Sequence, residues 1–167
     1  MTGRELIALP RTPEQIAAVK RHCKAMVTKR AYASAGAVLV PIPGIDVAAD
    51  IAMLTQLVPA INYEFGLTPE QIEHLSPQRK VLVYRAIVAF GGMMVGRVIT
   101  RELVLKTFAT VGMRVTTKTA ARFVPLAGQA LSAGISFGAM KLVGEAHVRD
   151  CERVVASLMQ DDAAEAG

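Results

Sequence analysis

Tryptophan is absent from this 167-residue chain, aromatic residues make up 5% of it, and only two cysteines occur. Each shortage excludes something. Nucleic-acid modules interleave basic residues with stacking aromatics or present a groove-reading helix, and neither pattern is present, so nucleic acid is not an expected partner. Cys23 and Cys151 lie far apart in the chain, without CxxC or Cys/His ligand spacing. They read as reduced thiols packed as small hydrophobes, and no metal site is assigned. Walker A, GxGxxG, HExxH and GxSxG motifs are all missing. His22, His74 and His147 stand apart from one another without motifs and read as surface residues. A His22–Cys23 nucleophile pair fails because adjacent helical residues do not face each other. No catalytic, cofactor-binding or metal residue is therefore assigned, and the chain is expected not to be an enzyme.

Long hydrophobic runs are lacking too. A spanning helix needs about 20 mostly apolar residues. The longest uncharged stretch, Phe123 to Met140, is interrupted by Pro125, Gly128 and Gln129. A compact bundle fits better than integral insertion, although two half-hydrophobic hairpins meeting at proline elbows leave re-entrant insertion as an alternative. The N-terminal MTGRELIALPRTPEQ has no apolar run of signal-peptide length. The expected compartment is the cytoplasm or the cytoplasmic face of a membrane.

What is plentiful is Ala, Val, Leu, Ile and Met: hydrophobic residues make up 52% of the chain and the mean hydropathy is +0.37. This is a helix-packing vocabulary, and the length suits one domain with a real core. The net charge of +5 and a pI near 9.5 favour anionic partners, lipid headgroups among them.

Two helix starts carry their own mechanism. Thr12-Pro13-Glu14-Gln15 and Thr68-Pro69-Glu70-Gln71 each combine a hydroxyl cap, a first-turn proline and a glutamine that closes a capping box. Ser76-Pro77 is a weaker version. The spacing predicts helices over about 13–38, 46–65, 77–110 (one helix or two) and 127–159. Gly66 closes the second of these as a C-terminal cap, and Pro59 is expected to kink or break it. Between the first two, VPIPGID makes an apolar elbow from Pro41, Pro43 and Gly44, with Asp46 capping the helix that follows. VPLAG, with Pro125 and Gly128, echoes that elbow and suggests a repeated helix, elbow, helix unit. Asp50 shares a helical face with Asp46 and is read as a carboxylate paired with a cation from another helix. Gly92 with Gly96, and Gly134 with Gly138, form GxxxG pairs of the kind that bring helix backbones close.

The run VPIPGIDVAADIAMLTQLVPAINYEFGLTPEQ resembles the helical domain of immunity-related GTPases. It is also similar to bacterial helical domains of unknown function in GTPase-associated membrane proteins, and more distantly to EcsC-like proteins. VPLAGQALSAGISFGAMKLVGEA resembles the second half of such domains, so the likeness covers roughly residues 32–75 and 115–150. It implies a helical, membrane-apposed module. No P-loop lysine is present, so nucleotide hydrolysis is not carried over.

The expectation is an all-α fold, a single bundle of about five to seven helices built from two helix-elbow-helix hairpins. An N-terminal extension (1–11) precedes the helical domain (12–160), and a disordered acidic tail (161–167) follows it. The expected role is association with the cytoplasmic face of a membrane, or with a membrane-bound partner, through Lys20, Arg21, Lys24, Lys29 and Arg30 of the first helix. The alternatives are a soluble self-assembling scaffold or interaction protein, a homo-oligomer among them, or an accessory subunit of a GTPase or transporter.

Overall fold

The computed structural model describes residues 7–37, 45–92, 94–100, 102–104, 106 and 125–165; of these, the side chains of 37, 45–48, 125–132 and 162–165 are excluded. The fold is all-α. Five helices are described, α1 (Pro13–Ala37), α2 (Ile45–Glu64), α3 (Pro69–Glu73), α4 (Pro77–Phe90) and α5 (Pro125–Glu165), together with helical residues at 102–104 and 106. Contacts divide the chain into two compact units. One comprises residues 1–23, 58–98 and 146–167, the other 24–57 and 99–145, and the division falls within α1, α2 and α5.

The capping chemistry is visible at the starts of α1, α3 and α4. Gln15 N–H donates to Thr12 Oγ1 (3.2 Å), and the Gln15 side chain accepts from Arg11 N–H (2.7 Å). At α3 the reciprocal pair is complete, with Gln71 N–H on Thr68 Oγ1 (3.2 Å) and Thr68 N–H on Gln71 Oε1 (3.0 Å). Ser76 Oγ accepts from Arg79 N–H (3.4 Å) at the head of α4. The buried positions then follow helical spacing: Ile16, Cys23, Val27, Ala31 and Ser34 on α1, and Ser136, Met140, Val143, His147, Cys151, Val154 and Leu158 on α5.

α2 runs on through Pro59 to Glu64, so the proline removes one donor without ending the helix. It stops at Gly66, whose φ is +73°. Gly66 N–H bonds Tyr63 O (3.0 Å) and Leu67 N–H bonds Asn62 O (2.8 Å), the double bond of a Schellman closure. The absent side chain also makes room, since a Cβ here would lie 2.9 Å from Leu9 N. Within residues 7–11, Leu9 and Pro10 are buried while Ile7, Ala8 and Arg11 stay exposed.

Several sequence expectations are corrected. α4 ends at Phe90, and Gly91 caps it in an extended conformation, so 77–110 is not continuous helix. Gly92 and Gly96 lie in the following turn, Gly96 at φ +65°, and form no helix-packing pair. Gly134 and Gly138 are exposed on α5, with nothing described within 4 Å of an added Cβ. The close helix approach is made instead by Gly144, where a Cβ would meet Val27 Cγ1 at 2.7 Å. Pro125 is the first residue of α5 and Gly128 lies inside it, so that glycine marks no elbow. The acidic residues 161–165 continue α5 rather than forming a loose tail. Pro41, Pro43 and Gly44 lie outside the described residues, as does the side chain of Asp46, which is the second residue of α2.

The glycines supply a paired test. Gly66→Ala should destabilise the fold by about 2 kcal/mol or more, from left-handed strain plus collision with the Leu9 backbone. Gly138→Ala, on an open helical face, should stabilise it by roughly 0.5–1 kcal/mol. Urea midpoints of the two variants moving in the same direction would contradict this account.

Candidate functional site

The five basic residues singled out on α1 are adjacent in sequence without forming one surface. At about 100° per residue, Lys20, Arg21 and Lys24 fall within one arc, while Lys29 and Arg30 turn away from it. Lys20 Nζ is held by Glu152 Oε1 at 2.8 Å, and Arg30 Nη1 donates to Gln56 Oε1 at 3.4 Å. Arg21, Lys24 and Lys29 are exposed.

Asp50 is buried, and Ser34 and Ser136 both donate their hydroxyls to it, Ser136 at 2.9 Å. Two of its partners are thus hydroxyls, from α1 and α5.

The sequence reading missed a second buried polar group. Asn62, His147 and Cys151 meet in the core of the first unit. His147 and Cys151 are four residues apart on α5, and that spacing was the available signal for a shared face. Asn62 Nδ2 donates to Met94 O (3.1 Å), so Oδ1 is the acceptor, and His147 Nε2–H donates to it at 2.9 Å. The Cys151 thiol reaches the same oxygen at 3.5 Å.

This looks like the parts of a cysteine nucleophile centre, and the geometry argues against that use. Sγ lies 3.7 Å from Nε2, the nitrogen that carries the proton, and so the imidazole is not placed to accept from the thiol. Nδ1 has no hydrogen-bond partner of ordinary geometry among the described residues. Burial pushes His147 down to about 4, against a smaller opposing contribution from the Val58 backbone. Burial, helped by Cys23 and Asp150, raises the Cys151 thiol well above its ordinary value. Both groups are held neutral, the reverse of a thiolate–imidazolium pair. His147 is thus a core residue, unlike exposed His22 and His74, and the cluster pins α2, α5 and the turn after α4 together.

The exposed feature with the most chemistry is on α4. Val81, Tyr84 and Val88 recur at i, i+3 and i+7 with exposures of 58%, 44% and 87%, forming an outward apolar ridge beside exposed Arg85. The opposite side of the helix buries Val83 and Ala86. Phe90, Arg97 and Val98 are also exposed at the helix end and in the turn beyond it. α4 contains no acidic residue, and residues 74–144 hold ten Lys and Arg against one acid, Glu102.

Compared with known protein families, curated proteins and solved structures, the chain matches none.

The buried imidazole makes stability depend on pH with a definite sign. An unfolded histidine titrates near its ordinary value of about 6.5. The folded group titrates near 4, so the unfolded chain binds more protons in between. Stability should therefore fall as pH drops from about 6.5 to about 4 and then level off, by roughly 3 kcal/mol at most. Asp150 works against this near the bottom of the window, since burial raises its carboxyl despite Arg153 and Arg149. Urea midpoints measured across that range should lose most of their slope in His147→Gln, and an unchanged slope would show that another group is responsible.

The thiols should be inert in the folded chain. Burial, with Glu64 adding, pushes Cys23 up to about 12. Ellman's reagent should label neither Cys23 nor Cys151 until denaturant is added, whereas rapid labelling of the native protein would refute their burial.

Proposed function

We propose that this chain is a non-enzymatic helical module that associates peripherally with an anionic membrane surface, its contact face being α4 and the turn that follows. The carrying observation is the ridge Val81, Tyr84 and Val88, exposed on a helix that has basic but no acidic residues. An interfacial helix needs this combination, apolar side chains to enter the headgroup boundary and cations to hold the phosphates. Each basic residue near an anionic leaflet contributes about 1 kcal/mol, and fully burying a valine contributes about 1.5–3 kcal/mol. Arg85 and Arg97 with the apolar ridge are therefore sufficient for reversible attachment. No helix among the described residues is long and apolar enough to cross a membrane, which suits surface attachment. The reading favours the cytoplasmic face, where anionic lipid is concentrated.

The basic residues of α1 take a lesser part in this reading, since Lys20 and Arg30 are engaged within the protein. The second reading, a self-assembling scaffold, draws on exposed Tyr32, Ile135 and Leu142 in the other unit.

Flotation with liposomes, without detergent, separates the two. The protein should float with phosphatidylglycerol-containing vesicles, not with neutral ones, and leave them at high salt. Val81→Asp/Val88→Asp should abolish flotation, and Arg85→Glu should weaken it about tenfold or more. Failure to float with either vesicle, together with one discrete oligomer on sizing, would select the scaffold.

A further inference from the structure

We propose that the α4 ridge of one copy of this chain seats in a groove between α1 and α5 of a second copy. The contact uses the same helix face as the membrane reading but needs no lipid, so either can fail without the other.

The groove lies within the first unit and encloses about 480 Å³. Its walls are apolar, with Pro13, Ile16 and Ala17 from α1 and Ala156 and Met159 from α5. Lys20 and Glu152, the two charged groups that line it, neutralise each other at 2.8 Å. Ile16 is buried while Ala17, Ala156 and Met159 are only half-buried, so the groove has a packed floor and an open rim. The methionine on that rim is the side chain best able to adapt to an incoming surface.

A helix that docks in such a groove presents anchors at i, i+3, i+4 and i+7 along one face. Val81, Tyr84, Arg85 and Val88 have that spacing, and all four are exposed. The chain thus carries both parts of a helix-in-groove contact within one unit, the ridge on α4 and the groove between α1 and α5.

Charge selects which surfaces meet. Residues 12–19 and 154–165, which include most of the groove's lining, hold four acids, Glu14, Asp161, Asp162 and Glu165, and no Lys or Arg. Exposed Asp161 directly follows Gln160 of the lining. The ridge has the opposite character, with Arg85 at its centre and no acidic residue anywhere on α4. Two ridges repel each other, whereas a ridge and a groove attract, which favours pairing of unlike faces. One helix in one groove is a small contact, so the association is of the transient class.

Sedimentation equilibrium of the full chain, without lipid and up to about 1 mM, tests this. The parent should self-associate at low salt and dissociate at high salt. Val81→Asp/Val88→Asp, which spoils the ridge, and Met159→Arg, which puts a cation in the groove, should each weaken association about tenfold or more. Mixed in equal amounts, these two variants should pair again, because one supplies an intact groove and the other an intact ridge. Arg85→Glu and Asp161→Arg, both at exposed positions, should each weaken association and restore it when combined in one chain. Flotation should be the same for Met159→Arg as for the parent, which keeps this contact distinct from membrane attachment. A parent that stays monomeric at about 1 mM would overturn the contact. Undiminished association of Met159→Arg, or a mixture that fails to recover along with a charge reversal that fails to restore, would overturn the pairing of ridge with groove.

Discussion

The side chain of Asn62 is surrounded by core and has to be satisfied at both ends. Its amide gives a proton to the Met94 carbonyl and receives from His147 and Cys151, so one residue on α2 fixes the turn after α4 and the inner face of α5. An apolar replacement would leave a buried carbonyl and a buried ring N–H without partners, each worth roughly 1–3 kcal/mol. The environment that makes this bond strong also keeps His147 neutral and the thiol protonated. Structural use and catalytic use of the same three residue types are thus opposed here by burial alone.

A second buried amide organises the other end of the same unit. Gln71 is both the closing residue of a capping box and the clamp that ties Ile7 to Tyr63. A motif that serves only helix initiation in an isolated peptide therefore also holds the N-terminal segment in place. The segment that it fixes places Arg11 on the same cavity wall as Ser76 and Arg79, where α4 begins.

What was legible in the sequence was local. Thr12-Pro13-Glu14-Gln15 and Thr68-Pro69-Glu70-Gln71 located their helices because caps act through neighbouring backbone groups, and Gly66 was readable for the same reason. What was not legible depended on the opposing surface. GxxxG spacing selected Gly134 and Gly138, although closeness of approach depends on which residue another helix meets, and here Gly144 meets Val27. His147 read as a surface residue because its motif-free neighbourhood says nothing of burial, while its 3–4 spacing with Val143, Cys151 and Val154 placed it on the inner stripe. The basic cluster of α1 was conspicuous in one dimension and spread around the helix in three.

The α4 ridge belongs to the same lesson and carries it to function. Single exposed valines are ordinary on a protein surface, so Val81 or Val88 alone would mean little. Three apolar side chains repeating at helical spacing, on a helix that already buries Val83 and Ala86 behind them, are a second face. An acid on that face would be tolerated for folding, since the exposed side makes no core contacts, yet α4 has none. Glu73, which reaches the ridge at Tyr84, is paired with Lys80 at 2.6 Å. An exposed apolar face whose neighbouring acid is already neutralised suits an anionic surface without being a requirement of folding, which is why the proposed function is placed on α4.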